Sequence, residues 1–332
     1  MKLGTRTQTN VAVIYLAEVA DPGLVGEVHR RLKLIKIDGV INAGYLEQLI
    51  TDNRWTVFPL TQATERPDKI IAGLLEGRVA LIAEGCSQAM MVPTTVNDLY
   101  QSPEDYYWGL WFGSFLRIFR ILGNNIAVAL PGLYIALLGV NPELLPIDFV
   151  LTVSGSRIGV AFPLVFELLI MEIFVEIFRE ASLRLPQSVS QTLGVTAGIV
   201  LSIAAVGAGL VSNATLVVVI VTAIASYSGP DYGIGLSWRV LKYILILAAA
   251  FGGLIGIVFA GILILAHAAN QNSFGVSYLA PWTPIRGIEL LDTVLRRPLW
   301  MPKRPSTIHP NDVIRFKEEG GSEIGHDKQE AE

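Results

Sequence analysis

The chain has 332 residues, of which 52% are hydrophobic and 16% charged, with a net charge of −4 and a mean hydropathy of +0.51. This composition departs from the average of soluble proteins toward that of membrane proteins, and the negative charge gives no reason to expect nucleic acid as a partner. One cysteine, Cys86, excludes an intrachain disulfide framework, and four scattered histidines offer no metal cluster, so we expect neither a metal nor another cofactor.

Residues 1–107 are predicted to form a small α/β domain. Pro22 suits the first turn of a helix, and Gly77 is the residue type favoured just after a helix ends. The predicted elements are a strand at Val11–Tyr15, helices at Leu24–Ile35, Asn42–Asp52 and Pro67–Leu75, a strand near Thr56–Pro59, and a hairpin of Val79–Ala83 with Ala89–Val92. None of these helices begins with a glycine-rich phosphate loop, which argues against a nucleotide site.

Residues 108–285 are predicted to be an α-helical integral membrane domain of about four to six membrane segments. The predicted segments are Gly109–Leu138, Ile158–Phe178, a hairpin over Leu185–Gly229 and a last span over Tyr243–Ala266. Residues 286–332 are predicted to be a charged C-terminal tail.

The hairpin is inferred from its lack of charge, since no charged residue lies between Arg184 and Asp231. As one helix this segment would be about 65–70 Å long, whereas the hydrocarbon core of a bilayer is about 30 Å thick. The segment therefore crosses twice or enters and turns back. Ser212 and Asn213 are the predicted turn, because two polar side chains at bilayer depth need a protein-lined or wet environment.

Basic residues at the ends of the spans indicate the orientation. Arg117 and Arg120 begin the first span, Arg179 and Arg184 end the second, and the hairpin returns to Arg239 and Lys242. These residues are predicted to share one face, which places residues 1–107 in the cytoplasm. The basic residues from Arg286 onward disagree, because an odd last span puts the tail outside, and re-entry of Ser273–Ile285 would bring it back.

The second span is unusual because it carries several acids. Glu172, Glu176, Arg179 and Glu180 share one helical face, and Glu167 lies off that face. Ionisable side chains at membrane depth are costly unless they pair or face water, which makes them candidates for function. Glu176 and Glu180 are expected to pair with Arg179 or Arg184 at the interface. For Glu167 and Glu172, an ion path and a pairing between helices both stay open.

The first arm of the hairpin is rich in small residues. Gly194, Gly198 and Ser202 recur four apart, and Val206, Val211, Ser212 and Asn213 follow them. Small residues at this spacing let helices pack closely, and the same short side chains suit the lining of a narrow pore, so both interpretations stay open. Gly252, Gly256 and Ala260 repeat the spacing in the last span, where packing is favoured.

Five short motifs occur together along the chain: Thr64-Glu65-Arg66-Pro67-Asp68, Ser102-Pro103-Glu104-Asp105-Tyr106-Tyr107, Arg179-Glu180-Ala181, Arg184-Leu185-Pro186 and Ser273-Phe274-Gly275. In this order they resemble the A subunits of bacterial spore germinant receptors, the GerA/SpoVAF family, from about Pro22 to Trp300. Two departures stand out. Family members usually carry a further cytoplasmic subdomain upstream, which this chain begins without, and Leu201-Ser202-Ile203 stands where Ile-Gly-Gln is common.

The resemblance implies a membrane subunit of a nutrient receptor in the inner membrane of the spore. It implies a homo-oligomeric ring around a ligand-gated ion path, working with a transporter-like B subunit and a lipoprotein C subunit in the lipid bilayer. No His-Glu-x-x-His or Gly-x-Ser-x-Gly motif is present, and we expect no enzymatic activity. A secondary transporter or a non-conducting structural subunit stays open as the alternative, although the chain has no evident inverted repeat.

Overall fold

The computed structural model describes residues 1–186, 189, 190, 194, 198, 202–298 and 303–314. The strands are β1 (Lys2–Leu3), β2 (Thr9–Ile14), β3 (Gln62–Thr64), β4 (Val79–Ala83), β5 (Ala89–Val92), β6 (Asn272–Ser273) and β7 (Val276–Ser277). The helices are α1 (Pro22–Leu34), α2 (Ala43–Ile50), α3 (Pro67–Glu76), α4 (Val96–Tyr100), α5 (Glu104–Tyr107), α6 (Leu110–Ile135), α7 (Ile147–Gly155), α8 (Leu164–Ser182), α9 (Asn213–Ala225), α10 (Tyr232–Ala269) and α11 (Gly287–Val294). A π-helical turn, Ala136–Val140, extends α6.

The N-terminal part is a five-stranded antiparallel sheet in the order β1-β2-β4-β5-β3. Helices α1 and α2 place Val28, Leu32 and Leu46 in the same apolar core as the sheet residues Leu81 and Met90. Several predicted boundaries are confirmed: β4 and β5 match to the residue, and α3 ends at Gly77, which has φ 100 as a left-handed helix cap.

The strand predicted near Thr56–Pro59 is wrong. These residues form no regular element, and the edge strand is Gln62–Thr64 instead. Pro59 has no N–H to donate to a neighbouring strand, and the side chains of Phe58 and Leu60 pack outside the core of the sheet. Both are buried in a second core with Tyr278, so their apolar character reports packing against the C-terminal part of the chain.

The predicted first span is confirmed as α6 with its π-helical extension, and Pro131 lies inside it. The second predicted span begins too early: the helix starts at Leu164, because Gly159 has φ 89 and Pro163 precedes the first helical residue. The helix α7 lies between the first two predicted spans, where no segment was predicted. The predicted turn at Ser212 and Asn213 coincides with a helix boundary, since Ser212 caps α9 by accepting a hydrogen bond from Thr215 N. Much of the predicted first arm lies outside the described residues.

The last predicted span is a helical hairpin rather than one rod. Inside α10, Gly253 has φ 57 and ψ −139, and two helices meet there. The arms 232–252 and 254–269 run back to back, because a Cβ on Gly256 would lie 2.1 Å from Ala248 O. Leu245 shares a small core with Ala260. Packing is thus confirmed for Gly256 and Ala260, while a Cβ on Gly252 would meet nothing within 4 Å.

Because the chain turns at Gly253, residues 272–298 and 303–314 return toward the N-terminal part of the structure. Phe274 belongs to the core of that sheet, and its N–H donates to Asp52 Oδ2 at 2.7 Å. Ser273 Oγ donates to Leu60 O at 2.6 Å. The re-entry considered for Ser273–Ile285 is therefore wrong in position. The turn lies about twenty residues earlier along the chain, and the disagreement over the tail disappears.

Two helices are long and apolar enough to cross a membrane, by length and composition: Leu110–Val140 and Tyr232–Ala269. Both keep large apolar side chains on their outer surfaces. Phe251 is 90% exposed and Ile255 is 82% exposed, at the turn of the α10 hairpin. A core helix of a soluble protein would bury such residues. Their exposure is typical of a surface that contacts lipid or another protein.

Replacing Gly253 by alanine is expected to destabilise the protein by about 1–3 kcal/mol, because an L residue is strained at this backbone conformation. In addition, the new Cβ would lie 2.2 Å from Asn141 Oδ1. Thermal unfolding of the detergent-solubilised chain, followed by circular dichroism, measures the effect. Gly252→Ala is the matched control and should shift stability by less than about 1 kcal/mol. Equal unfolding midpoints for the two variants would contradict the hairpin turn.

Candidate functional site

The deepest acid of α8 is Glu167, which is fully buried. Its Oε1 accepts hydrogen bonds from the N–H and the Oγ of Ser212, both at 2.7 Å. Its Oε2 faces Arg157 Nε at 3.2 Å. The same carboxylate thus holds the first residue of the α9 cap and neutralises a cation from the preceding loop. Tyr134 extends this polar cluster by a 3.0 Å hydrogen bond to Thr215.

One and a half turns further along α8, Glu172 forms an ion pair with Lys242 of α10. Glu172 is 1% exposed and Lys242 is 4% exposed, so the pair is almost fully withdrawn from solvent. The second oxygen, Oε1, has no hydrogen-bond partner among the described residues. Of the two alternatives left open for Glu172, the structure therefore has the pairing between helices.

The third acid, Glu176, lies among three cations. It is 3.4 Å from Arg179, 3.6 Å from Arg239 and 4.0 Å from Lys242. Arg179 also donates to Ala223 O at 3.3 Å and to Ser226 Oγ, which ties α8 to the end of α9. Arg179, Arg239 and Lys242 thus lie together around Glu176, and the expected pairing of Glu176 with Arg179 is confirmed.

Four charged residues of α8 and three cations from outside α8 together make a cluster that follows this helix. We call it the charge row: Glu167, Glu172, Glu176 and Arg179 of α8, with Arg157, Arg239 and Lys242. Glu167 is joined to the start of α9, whereas Glu172 and Glu176 face α10, in agreement with the predicted difference in helical face. Glu180 pairs with Arg184 at 2.5 Å on an exposed surface, as expected for the end of the helix.

The chemistry of the charge row is that of acids held between cations. In the described ranges, no group of three or more His, Cys, Asp or Glu side chains has the arrangement of a metal site. Glu176 is half-buried and has three cations within 4.0 Å, so its carboxylate can change partners with little movement. This is the property that a gated polar path needs.

The small-residue arm has a different environment. Gly198 is exposed, and a Cβ there would meet nothing within 4 Å, whereas a Cβ on Gly194 would touch only Phe178 Cζ, at 3.6 Å. Ser202 Oγ donates to Gly198 O, four residues earlier in the chain. These small residues therefore do not serve close packing within the described part of the chain. The intervening residues 195–197 and 199–201 lie outside the described residues.

The end of this arm is packed rather than open. Val211 is 1% exposed within an apolar core that also holds Tyr134 and Leu168, and Val206 is half-buried against the same core. Ser212 is buried as the cap of α9, and Asn213 is exposed. The structure thus separates the predicted set into an outer face (Gly194, Gly198, Ser202) and an inner end (Val206, Val211, Ser212).

A second buried ionic cluster was missed by sequence reasoning. Asp105 is fully buried and accepts from Arg120 at 2.9 Å and from Arg117 at 3.2 Å. Arg117 also donates to the carbonyl of Asp292 in α11. The signal was available: two arginines at the start of an apolar helix need a nearby acid, and Asp105 lies just upstream.

Known proteins resemble this chain over most of its length. The family model described as Bacillus/Clostridium GerA spore germination protein matches residues 1–307. Spore germination protein B1 of Bacillus subtilis strain 168 is 38% identical over 316 residues, covering 95% of this chain and 65% of the relative. Spore germination protein KA of the same strain is 36% identical over 316 residues, covering 95% of this chain and 58% of the relative.

A third relative is described as the uncharacterized membrane protein YfkQ of the same strain. It is 36% identical over 307 residues, which are 92% of this chain and 60% of the relative. The chain therefore spans 58–65% of the length of these curated relatives. No solved structure matches the chain at a significant level.

Replacing Glu172 by glutamine is expected to destabilise the protein by about 3–5 kcal/mol, because it leaves the Lys242 ammonium buried without its counter-charge. Thermal or denaturant unfolding in detergent measures the loss. Glu143→Gln, in an exposed loop, should change stability by less than about 0.5 kcal/mol.

The double variant Glu172→Gln/Lys242→Met is the diagnostic control. It removes the buried cation together with its partner and should recover most of the stability that the single variant loses. If Glu172→Gln were as stable as Glu143→Gln, the Glu172–Lys242 ion pair would not contribute to the stability of the fold.

Proposed function

The chain belongs to the GerA family of spore germination proteins, and from this premise we propose that it is a membrane subunit of a spore germinant receptor. The observation that supports the proposal most directly is the charge row along α8, enclosed by helices whose outer surfaces are apolar. Ionic side chains inside an apolar, lipid-compatible shell suit the control of ion passage better than they suit stability alone.

We propose that the helices between residues 110 and 269 are embedded in the lipid bilayer of the spore inner membrane, whereas residues 272–285 of the segment 108–285 lie against the N-terminal sheet. The exposed Phe251 and Ile255 would contact acyl chains, and the α10 hairpin would enter and leave on one side. On this view residues 1–107 form a cytoplasmic domain, and the basic residues of the tail, 286–332, lie on the same side. The support is the contact of Phe274 and Tyr278 with the N-terminal cores.

For activity, we propose that several copies of the chain assemble around a ligand-gated ion path that opens at the onset of germination. The outer face of Gly194, Gly198 and Ser202 supports this, because Gly198 is exposed and a Cβ on Gly194 would touch only Phe178 within the described part of the chain. In a ring of subunits, these short side chains would either meet a second copy or line the passage. A transporter-like B subunit and a lipoprotein C subunit are the further partners that we propose.

A non-conducting structural subunit is the alternative that one observation favours. The Glu172–Lys242 pair is buried on both sides, as a purely structural tie between helices would be. A secondary transporter has less support, because the acids of α8 are held by cations of the chain rather than left for a coupling ion.

The topology is tested by single cysteines in a Cys86→Ser background. Cysteines at Arg184 and at Lys303, both exposed, should react with a membrane-impermeant maleimide only when the cytoplasmic side is accessible. A cysteine at the exposed Glu143 should react only from the opposite side. Labelling of Glu143 and Arg184 positions from the same side would exclude the proposed crossing of α6.

Ion conduction is tested with purified chain in liposomes loaded with salt. Gly198→Leu adds bulk to the outer face. If that face lines a passage, ion flux should fall at least about tenfold, and if it forms an interface, the oligomer should dissociate. Gly261→Leu, at another position with nothing within 4 Å of its Cβ, is the matched control.

Valine truncation separates the two ends of the arm. Val206→Ala should increase leak without a germinant if Val206 narrows the path. Val211→Ala should instead lower stability by about 1–2 kcal/mol, because Val211 is buried in the core. Unchanged flux and unchanged oligomer size in Gly198→Leu and Val206→Ala would exclude this arm from the path and favour a structural subunit.

A further inference from the structure

A cavity of about 450 Å³ lies beside α3, away from the charge row. Its wall is formed by residues of α3, β5 and the segment 98–107. This volume is within the range of about 300–1,000 Å³ that is typical of sites for small molecules. One side of the wall is apolar, from Ala72, Leu75, Met91 and the ring of Tyr106.

The cations in this wall differ in how well they are paired. The Arg78 guanidinium is 2.6 Å from the Asp98 carboxylate and also donates to Pro93 O at 2.8 Å. Arg304 donates to the backbone carbonyls of Leu75 and Asp312 at 2.8 and 2.9 Å. Both guanidiniums are therefore satisfied by the protein itself.

Lys69 is the exception. Its side chain is 13% exposed, and the acid recorded beside it among the described residues is Asp231, with Nζ and Oδ2 3.9 Å apart. An ammonium carries three donors, and this distance is too long for a hydrogen bond. Burial accordingly lowers the pKa of Lys69, although Asp231 and Asp98 oppose the shift. The cavity thus contains a largely desolvated cation whose counter-charge is loosely held.

The acids nearby do not supply what is missing. Asp68 is held by Arg66 at 2.8 Å and by the hydroxyl of Tyr107, whereas Asp98 and Glu76 lie 2.6 and 3.5 Å from Arg78. The group that would satisfy Lys69 is an anionic oxygen entering the cavity from outside, on a molecule whose other end can lie against an apolar wall.

We propose that this cavity binds a small organic carboxylate, with its charged end on Lys69 and its apolar body against Leu75 and Tyr106. The bound carboxylate takes Lys69 from Asp231. The apolar wall distinguishes this ligand from inorganic phosphate, which would leave Leu75 and Tyr106 uncovered.

Binding at this site acts on the first turn of α10. Asp231 caps that helix by accepting from Gly233 N at 2.9 Å and from Ile234 N at 3.4 Å, and it also receives Gln62 Nε2 at 3.4 Å. When Lys69 turns to a ligand, Asp231 keeps only these bonds. Occupancy of the cavity is thereby connected to the helical hairpin without any contact between the ligand and the charge row.

The test uses the full chain in detergent and benzoate as the probe, measured by isothermal titration calorimetry. Benzyl alcohol has the same ring without the charge, and benzylamine has the opposite charge. Benzoate should bind at least about tenfold more tightly than either, because only benzoate supplies a charged acceptor to Lys69. Equal affinity for benzoate and benzyl alcohol, or equal binding of inorganic phosphate, overturns the proposal.

Two variants distinguish a binding site from a structural ion pair. Lys69→Met should weaken benzoate binding at least about tenfold, whereas Lys33→Met, at an exposed position on α1, should leave it unchanged. Asp231→Asn keeps a side chain that caps helices well but removes the competing charge, so benzoate should bind more tightly. Weaker or unchanged binding in Asp231→Asn overturns the exchange of partners at Lys69.

Discussion

At Gly253 the backbone takes φ 57 and ψ −139, and this single residue returns the helix Tyr232–Ala269 along its own length. The two arms touch closely enough that Gly256 has no room for a side chain against Ala248 O. Asn141 completes the turn, because its Oδ1 accepts the N–H of Leu254 at the start of the returning arm. Residues 272–298 and 303–314 lie near the N-terminal part because of this reversal.

The returning arm explains why the sheet and the helices form one structure. Ile234 and Leu241 from the first arm, and Ala268 from the second, meet Phe58 and Tyr278 in a common core. His267 stacks on Phe58 with ring centroids 6.0 Å apart. Apolar burial of this kind resists relative movement of the packed parts, since each exposed apolar group carries a free-energy cost proportional to its area.

Sequence reasoning succeeded where local chemistry decides and failed where long-range packing decides. The strands Val79–Ala83 and Ala89–Val92 are apolar runs of strand length bounded by turn residues, so pattern alone located them. The reversal at Gly253 was not recognised, because Gly252-Gly253 within an apolar run also suits close helix packing. The partners of buried charges were unpredictable for a similar reason: Lys242 is 70 residues from Glu172, and nothing local connects them.

The buried charges also show how the N-terminal part and the helices are joined. Asp105 holds Arg117 and Arg120 on the first turns of α6, and Asp231 at the start of α10 faces Lys69 of α3. The first of these ties is short and fully buried, whereas the second is 3.9 Å long and borders a cavity. Breaking the Asp105 ion pairs would leave an ionised group buried without water or a counter-charge. Lengthening the Lys69–Asp231 contact would cost little free energy. A change at the Asp231 cap would therefore cost less than a change at the Asp105 cluster, and Asp231 begins α10, the helix whose Arg239 and Lys242 hold the acids of α8.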